Sequence, residues 1–291
     1  MTERIKKLAE LTLNGKMCVK ATKAKFDESD IELSEIEKDT KHLCNYILNQ
    51  EPKITKYSSF TGNLLFDNSV IGDLLKSGGH RSLKTALEKY YSISHKDELE
   101  AEWQSITADY KKILEGGIMG IINEINFYLD FYMYEPEKME LLLSLRKIAV
   151  AIVRWTEKCV KTVRRYARKI RDYDTRKRLK KLENALIHSP KCKPRTFYEA
   201  VLSIYVCFCL DSDGLDNLDR YLMLFYTNDI DNEAITRDEA KEYLQELFLM
   251  VQSSTHFDFT HFKSGLRVEA NDGSNEVSEL IAEALEELSA L

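Results

Sequence analysis

Apolar residues recur at helical spacing along most of the chain, so helices dominate the expected structure. One apolar stripe predicts a helix over residues 32–49 that ends before Pro52. The longest stripe starts at Pro136 and continues to Ile170. A polar break at residues 172–174 then separates it from a second helix that ends before Pro190.

The hydrophobic pattern of the second half predicts a buried centre. Residues 197–210 are apolar on nearly every side, and a helix of that kind has to be buried. Capping boxes are predicted at Thr196 with Glu199 and at Thr236 with Glu239. Further helices are predicted over residues 82–91, 96–115, 118–134, 237–251 and 275–288, with a bend at Gly116-Gly117, an ordered loop over 57–79 and one strand within 257–268. The fold class is therefore mainly α with few β strands.

Composition narrows the class of protein. The chain has 291 residues, of which 44% are hydrophobic and 31% charged, with only 11 Gly and 4 Pro, so it forms a core and is not a disordered or collagen-like chain. No apolar run reaches the roughly 20 residues that a membrane helix needs. Without a signal peptide in the first residues, we expect a cytoplasmic protein with no membrane contact.

Charge is unevenly distributed along the chain. Residues 154–181 carry 13 Lys or Arg and three acids, whereas the last 23 residues carry seven acids and no basic residue. These two segments are expected to attract one another. The basic residues of 154–181 largely lie opposite the apolar stripe, which favours a solvated helix face. Nucleic-acid binding is therefore not expected, given the net charge of −6.

The candidate chemical motifs are weak when taken singly. Gly78-Gly79 precedes His80-Arg81 without a Walker lysine, and a turn before a helix is the simpler interpretation. His256 and His261 are five residues apart, a spacing that suits neither helix nor strand for metal ligation. The six cysteines include no CxxC pair and are interpreted as reduced thiols, with Cys207 and Cys209 as small buried hydrophobes. We expect no metal site.

Several motifs in collinear order resemble those of one enzyme family. The first lies within residues 60–120 and includes Gly62-Asn63-Leu64-Leu65-Phe66-Asp67-Asn68 and Ala108-Asp109-Tyr110. The second is Pro194-Arg195-Thr196-Phe197-Tyr198-Glu199-Ala200. The strongest is Leu218-Asp219-Arg220-Tyr221-Leu222 followed by Ile235-Thr236-Arg237-Asp238-Glu239-Ala240, and the last is Asp272-Gly273-Ser274-Asn275-Glu276-Val277-Ser278. Together, residues 60–288 resemble the amino-terminal portion of glycyl radical enzymes of the pyruvate formate-lyase-like branch.

This resemblance implies a fold and a chemistry. Family members are ten-stranded α/β barrels, of which this chain would be the helical N-terminal part and an incomplete barrel. They are C–C or C–X lyases and acyltransferases of anaerobic metabolism that act by hydrogen-atom abstraction. A radical-SAM activase installs their glycyl radical, which passes to a cysteine. We expect residues 1–55 to be an N-terminal helical extension and residues 56–291 to be the N-terminal part of the family domain.

The resemblance also shows what this sequence lacks. It contains neither the family's Cys-x-Glu loop nor its Arg-Val-x-Gly glycyl motif, and Arg267-Val268-Glu269-Ala270 has alanine where the glycine is needed. We therefore expect no catalytic residue and no cofactor in this chain, and no radical catalysis by the chain alone. Whether it is a truncated fragment or a natural degenerate protein stays open.

The resemblance places substrate-pocket candidates by position at Ser105, Asp109, Asp219 and Tyr221. Ser105 stands where dehydratase-like members have a histidine, and Leu224 replaces a proline. Asp109 and Asp219 could equally serve as helix caps or pairing partners. The expected partners are a second copy, the remainder of an enzyme or, in a completed pocket, a small-molecule substrate. The alternative function is a non-catalytic helical scaffold or partner-binding protein derived from this fold.

Overall fold

The structure is a computed structural model that describes residues 1–16, 32–61, 82–83, 85–87, 89, 109–210, 215, 217–255 and 274–290. Helices are the dominant elements of these residues, and no strand occurs among them. The principal helices are α1 (Glu3–Leu13), α2 (Glu35–Asn49), α3 (Tyr110–Phe131), α4 (Pro136–Ala167), α5 (Tyr173–His188), α6 (Phe197–Leu210), α7 (Leu218–Asp231), α8 (Arg237–Thr255) and α9 (Glu276–Ser289). The predicted strand within 257–268 lies outside the described residues.

Helix α6 forms the centre of the packing. Every residue from 197 to 209 is buried, and α3, α5, α7 and α8 all contact this helix. The prediction that an all-apolar helix has to be buried is confirmed. Cys207 and Cys209, with 6% and 5% exposure, contribute to this core as predicted.

The long basic helix breaks where the polar residues indicated. Helix α4 ends at Ala167, and the Asp172 side chain accepts a hydrogen bond from the Thr175 N–H to begin α5. The apolar side of α4 packs on α2, α3 and α5. Trp155 is 1% exposed and donates its indole N–H to the Gln50 carbonyl at 3.2 Å, which fixes α4 to the end of α2.

Side-chain caps begin α6 and α8, and the capping box predicted for Thr236 is confirmed, whereas at Thr196 the Glu199 carboxylate accepts from Arg195 instead. Thr236 and Glu239 form a reciprocal capping box, with N–H to oxygen distances of 2.9 and 3.2 Å. The Thr196 hydroxyl accepts from the Glu199 N–H at 3.2 Å. The Glu199 carboxylate accepts from the Arg195 backbone N–H at 2.8 Å and from its guanidinium at 2.6 Å. This carboxylate therefore joins the Arg195 side chain and backbone to the start of α6.

The structure corrects two sequence predictions. The helix expected over residues 96–115 is not continuous, because Asp109 has non-helical backbone angles (φ −71°, ψ 79°) and caps α3. Residues 96–108 lie outside the described residues. The ion pairs of the described C-terminal acids lie outside the basic segment, and Glu269 and Asp272 lie outside the described residues. Among the described residues, Glu283 and Glu287 of α9 bind Arg237 and Lys241 of α8. These acids face α8 because the apolar face of α9 packs on it.

The predicted division at residues 55/56 stays a prediction. Helix α1 packs against α8, and α2 packs against α4. Within the described part of the chain, no helix is both long enough and apolar enough to cross a membrane.

Candidate functional site

Asp219 is a buried carboxylate near the start of α7. It is 5% exposed and accepts a hydrogen bond from the Ser278 hydroxyl at 2.7 Å. Its backbone carbonyl accepts from the Asn275 side chain at 3.4 Å. Asn275 also caps α9 in a capping box with Ser278. Asp219 therefore joins α7 to the first turn of α9, which is the pairing role considered for it from the sequence.

Tyr221 lies two residues further along α7 and has a different neighbour. Its ring lies 6.4 Å from the ring of Tyr110, the first residue of α3. Two residues along a helix correspond to a rotation of about 200°, so Asp219 and Tyr221 point to different sides of α7. The structure thus places Tyr221 beside α3 and Asp219 beside α9.

Asp109 immediately precedes Tyr110 and begins α3. Its carboxylate accepts from the Lys112 N–H at 3.0 Å and so satisfies one of the amides that the first helical turn leaves unbonded. Through Tyr110, the start of α3 and Tyr221 are neighbours. Ser105 lies outside the described residues. The assignment of these four positions to a substrate pocket stays a prediction.

A buried ion-pair cluster was not identified from the sequence. Glu246 of α8 is fully buried and accepts from Arg4 at 2.5 Å, from the Phe60 N–H at 3.1 Å and from the Ser59 N–H. Arg4 also binds Glu242 at 2.9 Å. Burial opposes the charge of Arg4, but Glu246 and Glu242 outweigh it and raise the pKa of Arg4. The position of Glu246 directly before the apolar run Leu247-Phe248-Leu249-Met250-Val251 was the signal available in the sequence.

Two of the described cysteines, Cys159 and Cys44, have thiols with a raised pKa. Burial raises the pKa of Cys159 well above its ordinary value, and burial also raises the pKa of Cys44 to about 11. A thiol in either setting stays protonated at neutral pH. Among the described residues, no group of three or more His, Cys, Asp or Glu is arranged to hold a metal ion. His256 and His261 lie outside these residues, so the expected absence of a metal site stays a prediction.

The sequence profile of one family matches residues 91–291, and that family is described as pyruvate formate lyase-like. The chain belongs to this family. A curated relative of this pyruvate formate lyase-like chain is trans-4-hydroxy-L-proline dehydratase from Clostridioides difficile. The two are 24% identical over 205 residues, which are 62% of this chain and 25% of the relative.

Solved glycyl radical enzymes share the fold of this pyruvate formate lyase-like chain. A glycyl radical enzyme from Archaeoglobus fulgidus superposes with a TM-score of 0.69 at 17% identity, over 98% of this chain and 46% of that structure. The B12-independent glycerol dehydratase from Clostridium butyricum superposes with a TM-score of 0.72 at 17% identity, over 99% and 46%. The predicted fold class is confirmed: the chain has the mainly helical part of a glycyl radical enzyme barrel. It spans less than half the length of these relatives.

Proposed function

We propose that this chain is the helical N-terminal segment of a dehydratase-type glycyl radical enzyme, a C–X lyase, and that it does not form the radical by itself. One observation carries the proposal: the family match covers residues 91–291, yet the chain spans only 46% of the solved enzymes. The segment would supply helices that surround the first part of the barrel. In a complete enzyme, a cysteine and an activase-generated glycyl radical from other segments would supply the hydrogen-atom abstraction.

The cysteines of this chain support the proposal that another segment supplies the radical cysteine. None of the six is followed two residues later by glutamate, so the family's loop motif is missing from this sequence. Cys159, Cys207 and Cys209 are buried among core side chains. A thiol that abstracts hydrogen from a substrate needs to contact that substrate, and these three are covered by packing.

Electron paramagnetic resonance tests the proposal directly. The purified chain is incubated without oxygen with a radical-SAM activase, S-adenosylmethionine and a reductant, and a full-length family dehydratase serves as the positive control. We expect a glycyl radical signal from the control and none from this chain. A glycyl radical on this chain would contradict the proposal.

The native size of the polypeptide provides a second test. Immunoprecipitation from the source cell followed by intact-mass analysis compares the native mass with the 33.8 kDa of this chain. A mass more than twice as large assigns the radical chemistry to the whole enzyme. A mass of 33.8 kDa would instead favour the scaffold alternative, with any radical chemistry dependent on a second polypeptide.

An exposed aromatic patch favours the alternative of a partner-binding scaffold. The end of α3 and the turn after it expose large apolar side chains: Phe127 (65%), Phe131 (69%), Met133 (55%) and Tyr134 (90%). Such patches often mark interaction surfaces. If the chain is a scaffold that self-associates through this patch, light scattering should show an oligomer that Phe131→Ser dissociates. Leu224→Ser, at an apolar residue of α7 with 77% exposure, serves as the control.

A further inference from the structure

A basic cleft lies on the surface between α5 and the start of α8, with the end of α4 and the start of α1 at its sides. Its volume is about 1270 Å³. Its lining includes eight Lys or Arg: Arg4, Arg164, Arg168, Arg176, Lys177, Arg178, Lys180 and Lys181. Four carboxylates also line it: Asp174, Glu183, Glu239 and Glu242. The lining therefore carries a positive excess although the whole chain carries a net charge of −6.

Two of the four lining carboxylates are already paired with bases of the cleft. Glu183 binds Arg164 at 2.8 Å and Lys180 at 3.2 Å, and Glu242 binds Arg4 at 2.9 Å. Arg168, Arg176, Lys177 and Arg178 make no ion pair with a carboxylate of the described residues. The positive excess thus concentrates on the start of α5 and the residues just before it.

Arg178 differs from these bases in having a buried donor without a partner in the described part of the chain. Its Nε atom is buried and has no hydrogen-bond partner among the described residues. One terminal nitrogen donates to the Lys56 carbonyl and, at 3.5 Å, to the Thr175 hydroxyl. Burial and the nearby positive charge of Arg4 lower the pKa of Arg178, and the charges of Glu246 and Glu242 only partly offset this. An anion beside this guanidinium would offset both effects, because its charge would favour the protonated form.

The aromatic floor of the cleft holds another cation in place. Lys181 donates to the Tyr243 hydroxyl at 2.7 Å, and its Nζ lies 5.2 and 5.1 Å from the ring centroids of Tyr198 and Tyr243. This lysine is therefore positioned before any ligand arrives, which lowers the entropy cost of binding. Arg4, held by Glu246 and Glu242, is equally fixed.

We propose that the basic cleft binds a small anion that carries two or more phosphate groups. Guanidinium and ammonium groups that line one cavity match phosphate oxygens in charge and in hydrogen-bonding capacity. Asp174 and Glu239, which make no ion pair with a base of the described residues, disfavour a long polyanion such as nucleic acid, which would pass along them. This inference is independent of radical chemistry, since the described lining of the cleft includes no cysteine.

Calorimetric titration of the chain with tripolyphosphate tests the proposal. We expect one saturable site whose affinity falls as salt rises, with inorganic phosphate binding more weakly because it forms fewer ion pairs. Arg178→Gln should weaken tripolyphosphate binding about tenfold, as expected for loss of a charge-assisted hydrogen bond. Lys111→Gln removes the same charge from an exposed site on α3 and should leave the affinity unchanged.

A second variant keeps the test decisive if Arg178→Gln lowers the melting temperature. Lys177→Gln alters an exposed lining residue and should weaken binding about threefold without changing stability. Absence of saturable tripolyphosphate binding at low salt would overturn the proposal. So would equal losses in Lys177→Gln and Lys111→Gln, or tighter binding of a short oligonucleotide than of tripolyphosphate.

Discussion

At the scale of single residues, a few buried polar side chains hold helices together that the sequence places far apart. Asp229 of α7 is 3% exposed and accepts from the Phe197 N–H of α6 at 2.8 Å. Asp219 of the same helix accepts from the Ser278 hydroxyl of α9 at 2.7 Å. Removing the partner of a buried polar group costs about 1–3 kcal/mol, so each such contact favours one arrangement of the helices over others.

Glu246 is a buried charged residue whose loss should lower stability. We expect Glu246→Gln to lower the free energy of unfolding by about 3 kcal/mol, because it breaks a buried ion pair with Arg4. Urea denaturation followed by circular dichroism measures this change.

The matched control is Glu115→Gln, at an exposed glutamate that pairs with Lys111 at 4.0 Å. This substitution should change the free energy of unfolding by less than about 0.5 kcal/mol. Similar losses in the two variants would contradict the importance assigned to the buried cluster.

At the scale of elements, α3 is interrupted at Gly117. This residue has φ +66°, a region that glycine occupies readily and residues with a side chain avoid. The interruption turns the amides of Ile118 and Met119 toward the chain between α5 and α6, where they donate to the carbonyls of Pro190 (3.0 Å) and Lys191 (2.9 Å). The bend therefore attaches the middle of α3 to the segment that leads into α6.

Two adjacent glycines provide a matched test of this bend. In Gly117→Ala the new Cβ would lie 2.4 Å from the Cys192 carbonyl carbon, in addition to the strained φ. We expect a loss of about 2 kcal/mol or more in the free energy of unfolding.

The control, Gly116→Ala, adds a Cβ that meets nothing within 4 Å. It should raise the free energy of unfolding by up to about 1 kcal/mol, through the better helix propensity of alanine. Thermal denaturation of both variants checks the pair. Equal destabilisation of the two variants would contradict the stabilising role assigned to the bend at Gly117.

Prediction of elements from the sequence worked best where patterning and caps agreed. The break between α4 and α5, the buried α6 and the capping box of α8 were all predicted, because each depends on residues a few positions apart. The break at Asp109 was not predicted. There the helical pattern continues through Asp109, and only the observed cap geometry shows that α3 begins after it.

At the scale of the whole molecule, contacts across the chain bring its two described ends together. Glu287 of α9 binds the amino group of Met1 at 2.6 Å and Lys241 of α8 at 2.8 Å. The bond to Lys241 and the bond to the amino group lower the pKa of Glu287 from 4.5 to about 2. The ionised form is thus favoured in the folded state.

This depressed pKa predicts an acid-dependent loss of stability. The contribution of Glu287 is present above pH 4.5 and is lost as the pH falls toward 2, since the unfolded chain then takes up a proton first. Glu287→Gln should flatten the pH dependence of the unfolding free energy between these values. Glu286→Gln, on the exposed side of the same helix, should keep the slope of the unaltered chain. An unchanged slope in Glu287→Gln would contradict the assignment.

The sequence alone determined the helical character, the buried centre and the family resemblance. These properties depend on local periodicity, on caps and on short motifs, each of which involves residues close together in the sequence. The tertiary structure alone decided which distant side chains meet. It placed Glu246 against Arg4, paired described acids of α9 with α8 rather than with the basic segment, and gathered bases from α1, from the end of α4 and from α5 into one cleft. Such contacts depend on how the helices pack on α6, and no local pattern encodes that geometry.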